Sequence, residues 1–182
     1  MKKLILLLLV TGTIGSLCLA QTISRADLRE NFIKATKCKT ALDSFDKILE
    51  KISARTAAEE CYLGMCEALN IQYTDGMWRK YKMLDQSRGH IAKAIAQAPQ
   101  DAELRFLRFM LEHNIPGFLG MSTHIQNDLA FIFGHSGFLE EDMDLRKIAM
   151  EFILSSKRCT TEQTAMLQKN LDELKKKQYA QK

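Results

Sequence analysis

The sequence predicts an all-α protein of about eight helices folded into antiparallel hairpins. Three observations carry this. Leu, Ala, Lys, Glu, Gln and Met dominate the composition, and these residues lose little freedom in a helix. Apolar residues recur at steps of three, four and seven from Leu28 to Leu174, the period of a helix that buries one face. The chain has only 2 prolines, Pro99 and Pro116, and no alternating β-branched run of strand length.

Each helix follows from its own stripe and its own ends. Leu28, Phe32 and Ala35 define the first, with Ser24 as N-cap. Leu42, Phe45, Leu49 and Ile52 define the second, and Ala41 and Ile48 widen its apolar face. Ala58, Cys61, Met65 and Leu69 define the third, and Thr74-Asp75-Gly76 reads as a turn. The fourth stripe is the longest: Met77, Tyr81, Leu84, Ile91, Ile95 and Ala98, interrupted by Arg88. Pro99 forces the preceding residue out of helical conformation, and Asp101 is placed to cap the fifth helix.

That fifth helix carries Leu104, Leu107 and Leu111 together with Phe106, Phe109 and Met110, so it is apolar around most of its girth and belongs at the centre of the core. A loop follows from Asn114 to Met121. Thr123 and Gln126 predict a capping box for a sixth helix bearing Ile125, Leu129 and Ile132, and Gly134–Gly137 reads as a loop. A seventh helix opens on Glu140, Glu141 and Asp142, carries Leu145, Ile148, Phe152 and Ile153, and closes near Lys157 and Arg158, matching the macrodipole at both ends. Thr160 and Gln163 cap an eighth with Leu167, Leu171 and Leu174. Short connections make neighbouring helices antiparallel.

The first twenty residues read as a secretory signal. Lys2 and Lys3 precede the apolar run Leu4–Val10, and Cys18-Leu19-Ala20 supplies a small-x-small cleavage site. The expectation is a signal over 1–20, a single helical domain over 21–182, and an exported, periplasmic or secreted product. The run is too short to span a bilayer, and no second long apolar segment follows. Leu17 before Cys18 fits a lipobox poorly, so lipid anchoring through Cys18 is not expected. Losing Lys2 and Lys3 removes two of the formal +4 charges. A balance so near neutral argues against non-specific nucleic-acid binding. Four cysteines remain: Cys38, Cys61, Cys66 and Cys159. Cys61 and Cys66, about 7.5 Å apart along one helix, should not bond to each other. A bond from either to Cys38 is geometrically easier, and buried reduced thiols are an equal alternative.

The chain near Lys93, Lys-Ala-Ile-Ala-Gln-Ala-Pro, resembles the close of a tetratricopeptide repeat, with Ala94 and Pro99 at the small-residue and proline positions. Ala41 and Phe45 keep the Ala-x3-Phe spacing, and Leu63-Gly64 is similar to the repeat's Leu-Gly pair. The interval from Leu63 to Pro99 is longer than the repeat, and the Trp-bearing signature is incomplete. The resemblance spans Thr40–Leu111 and implies stacked helical hairpins. It also implies that Arg105 and Arg108 sit on the groove-lining helix. The stretch from Leu104 to Phe131 is similar to small exported bacterial helical proteins, which implies no activity.

Catalytic and metal signatures do not assemble. His90, His113, His124 and His135 lie on separate elements, and neither a His-x3-His nor a Cys-x2-Cys pair occurs. A nucleophile elbow, phosphate loop and dinucleotide fingerprint are all missing from the sequence. No cofactor is expected. Glu59-Glu60 and Glu140-Glu141-Asp142 read as solvated helix faces and first-turn charges.

The candidate partner-binding residues are Arg88, Arg105, Arg108, Phe118 and Leu119. Arg88 breaks an apolar stripe, so it snorkels, pairs with a carboxylate, Asp85 being the one on its face, or faces a ligand. Arg105 and Arg108 flank the fifth helix and are either solvated or groove-lining. Phe118 is expected to plug the core and Leu119 to stand on a groove rim. Together these suggest an exported, non-catalytic interaction or scaffold protein that holds a protein partner of the cell envelope. The alternative is a carrier of a small apolar ligand, with a pocket lined by Met77, Tyr81, Met110 and Phe118.

Overall fold

The computed structural model describes residues 22–135 and 143–180. The segment read as a signal, Cys18 included, lies outside the described residues, as does the run Glu140-Glu141-Asp142. Among the described residues there are eight α-helices and no strand: α1 (Arg25–Ala35), α2 (Lys39–Glu50), α3 (Ala57–Asn70), α4 (Met77–Gln97), α5 (Ala102–Asn114), α6 (Ile125–Gly134), α7 (Met143–Ser155) and α8 (Thr161–Ala180). None of them is long and apolar enough to cross a membrane.

The ends are set by local chemistry. Ser24 accepts the Asp27 N–H to start α1, and Asp101 accepts the Glu103 and Leu104 N–H groups to start α5. Thr160 and Gln163 exchange side-chain and backbone hydrogen bonds ahead of α8. Helix α4 stops at Gln97, and Ala98, at φ −134° and ψ 72°, has left helical conformation before Pro99. Gly76 precedes α4 at φ 86°, a conformation that a side chain would strain. The expected Thr123–Gln126 box is not how α6 begins. His124 is the N-cap and makes no side-chain cap bond, and its N–H is taken instead by the Glu112 carboxylate at 2.7 Å. A reciprocal box that the sequence reading passed over starts α3, between Thr56 and Glu59.

Helix α5 is the shared wall of two cores. Leu104, Leu107 and Leu111 face α1–α4, packing with Leu28, Phe45, Tyr62 and Ile91. Ala102, Phe106 and Phe109 face α6–α8, packing with Leu129, Met150, Ile153 and Leu171. Met110 touches both, which explains why this helix is apolar all round. Helices α3 and α4 cross closely at Gly64, where a Cβ would stand 2.8 Å from the Ser87 carbonyl oxygen. Glycine here serves close approach, at a cost of about 1 kcal/mol in helix propensity.

Three expected core positions are corrected. Ile48 is 46% exposed, because α2 buries only the Leu42–Phe45–Leu49 face. Met77 and Tyr81 head the α4 stripe yet are exposed, because α4 has 21 residues against 13 for α5 and 14 for α3. Its first turns therefore run about 10 Å past the ends of its neighbours. The four cysteines are free thiols, Cys61 and Cys66 buried and Cys38 exposed.

Candidate functional site

Most charge in this molecule is structural. Glu103 of α5 is buried and accepts hydrogen bonds from Arg25 (2.7 Å), Arg29 (2.8 Å) and the Tyr62 hydroxyl (2.7 Å). It ties α1 and α3 to α5. Burial alone would raise the Glu103 carboxyl; Arg29, Tyr62 and Arg25 hold it below the usual range. Glu60 does the same between α3 and α4, accepting from Arg55 at 2.9 Å and Lys93 at 2.7 Å, with His90 Nδ1 at 3.0 Å. Against the opposing effect of burial, these partners lower its pKa to about 2. Glu59 and Glu60 are thus buried anchors, not the solvated face the sequence suggested.

Arg105 and Arg108 both converge on Asp128 of α6, which is fully buried. Arg108 grips it through two nitrogens at 2.6 and 2.7 Å, and Arg105 reaches one oxygen at 3.3 Å while lying 4.8 Å over the Phe131 ring. This pairing joins α5 to α6. It explains the spacing of the two arginines, one turn apart on the face that meets α6.

Arg88 is placed differently. It does not bond Asp85, which is exposed. It is half-buried and makes no hydrogen bond or ion pair with any described residue. It lines a small cleft of about 50 Å³ between α4 and α5, with Ile91, Arg108, Leu111, Glu112 and His124. The acid in that cleft is already engaged: Glu112 takes the His124 N–H, and its other oxygen lies 2.7 Å from His124 Nδ1. The cleft therefore presents a guanidinium that makes no direct ion pair, beside a carboxylate that His124 engages.

The loop residues reverse their expected roles. Phe118 is 84% exposed, standing on a 3-10 turn at Gly117–Leu119, and Leu119 is the half-buried residue that packs on the core. The turn reverses the chain so that only one of two adjacent apolar side chains reaches inward. Helices α4 and α5 are antiparallel, with Ile91 near Arg108 and Arg88 near Glu112.

An apolar cavity of about 300 Å³ lies elsewhere, among α1, α3, α5 and α7, lined by Phe32, Ile33, Tyr62, Phe106, Met110 and Ile148 among others. Of the four residues expected to line a pocket, Met110 alone contributes to it. Among the described residues no group of three or more His, Cys, Asp and Glu is arranged to hold a metal. Burial pushes the Cys61 and Cys66 thiols well above their usual range, away from the reactive thiolate.

No protein-family model, curated protein or solved structure matches this chain.

Proposed function

We propose that this chain is an exported, non-catalytic interaction protein, a tetratricopeptide-like array of helical hairpins that holds a protein partner of the cell envelope. The observation that carries this is Arg88. A half-buried guanidinium that makes no ion pair, set among Ile91, Leu111, Glu112 and His124, with Arg108 beside it, suits a carboxylate brought by another chain. The signal-like 1–20 segment supports export, and the Ala94–Pro99 stretch supports the repeat-like reading. Affinity capture from envelope extract, followed by mass spectrometry, tests it. One protein should be enriched by the native chain and lost with Arg88→Gln. Equal recovery by both removes Arg88 from the interface.

The second reading is a carrier of a small apolar ligand, and the 300 Å³ cavity favours it, being at the lower end of ligand-pocket size. Native mass spectrometry separates the two, because a carrier retains a small molecule through purification.

A further inference from the structure

Helix α4 begins in an aromatic tip set among cations. Met77 and Trp78 are 79% and 76% exposed, and Tyr81 is 42% exposed. The Trp78 and Tyr81 rings stack, with centroids 6.0 Å apart and planes 13° from parallel. Tyr73, at 49%, ends the 3-10 turn just before α4. Scattered apolar residues on a surface are ordinary, but this many large ones at one end are not. Around them stand Arg79, Lys80 and Lys82, and Asp75 is the single acid between Tyr73 and Leu84. Gly76 supplies no side-chain cap, so the first N–H groups of α4 also face outward.

We propose that this end of the molecule docks on the surface of an anionic lipid bilayer. Tryptophan and tyrosine settle at headgroup depth, where an apolar ring and a polar edge are both satisfied. Arg79, Lys80 and Lys82 meet lipid phosphates, and the α4 dipole adds to their attraction. The shape agrees. A projecting helix end enters a soft planar interface without a matching concavity, whereas a protein partner would have to supply one. The surface is separate from the Arg88 cleft, so the two interactions are compatible.

Trp78 is the only tryptophan in the chain, so its emission reports on this patch alone. The full-length chain is mixed with phosphatidylcholine vesicles, with and without phosphatidylglycerol, at low and high salt. Trp78 emission should shift to the blue and lose acrylamide quenching on the anionic vesicles, and high salt should reverse both. The double variant Arg79→Gln with Lys82→Gln should need roughly tenfold more lipid for the same shift. Both substituted side chains are exposed, and an unchanged thermal midpoint confirms that the variant is folded. Vesicle-bound protein whose Trp78 emission does not move would show that another segment binds, and would overturn the proposal. So would a shift equal on neutral vesicles and indifferent to salt, or a shift produced by envelope protein but not by lipid.

Discussion

Tyr62 of α3 donates its phenolic hydrogen to the Glu103 carboxylate of α5 at 2.7 Å, with both groups buried. The same carboxylate receives Arg25 and Arg29 from α1. One acid thus sets the positions of three helices, and the Phe32 ring seals the joint edge-on against Tyr62 at 5.5 Å. Tyr62→Phe removes one charged hydrogen bond and leaves the arginines in place. It should cost about 1.5–3 kcal/mol by urea unfolding. Glu103→Ala, which removes the acceptor shared by Tyr62, Arg25 and Arg29, should cost more.

Acid should weaken the α3–α4 joint in a defined window. Glu60 has its pKa lowered from 4.5 to about 2. A depressed carboxyl contributes stability that is whole above its unfolded value and is lost as pH falls through the folded one. The stability gap between the native chain and Glu60→Gln should therefore be full at neutral pH and close between about pH 4.5 and pH 2. Burial raises the Asp46 carboxyl, an effect common to both proteins that cancels in the difference; it also raises Glu67, which Glu60 pushes further, so both proteins carry Glu67→Gln. Paired unfolding curves across that window test it.

Gly64→Ala ought to stabilise a helix by propensity, yet a Cβ there meets the Ser87 oxygen at 2.8 Å and both His90 Cβ and Ile91 Cγ1 at 3.0 Å. Overpacking should win, at a net cost of about 1–3 kcal/mol in urea unfolding.

Phe118 and Leu119 should separate cleanly. Phe118→Ser changes an exposed side chain and should leave the thermal midpoint within about 0.5 kcal/mol of native stability. Leu119→Ser removes a core contact and should lower it measurably.

The helices were legible because each carries its own apolar stripe, and α5 announced its central place by lacking a polar face. The α8 cap and the stop at Pro99 were legible for the same reason: each is a signal within a few residues. The α3 box was equally local, in Thr56-Ala57-Ala58-Glu59, and could have been read. What could not be read were partners distant in sequence. Arg108 finds Asp128 on the next helix, and Glu60 finds His90 and Lys93 across a crossing that Gly64 makes possible. Helix length mattered too. The stripe of α4 continues to Met77, but its neighbours end before it does, so its first turns meet water.

The central claim is that Arg88 serves a partner while Arg108 serves the fold, and the unfolding of two variants tests it most directly. Arg108→Gln removes the closer of two cations from the buried carboxylate of Asp128, which keeps Arg105, and should cost about 1.5–3 kcal/mol in urea. Arg88→Gln, which breaks no bond to any described residue, should leave the urea midpoint unchanged. A loss of stability in Arg88→Gln comparable to that in Arg108→Gln would contradict the account, because Arg88 would then be part of the structure rather than reserved for another chain.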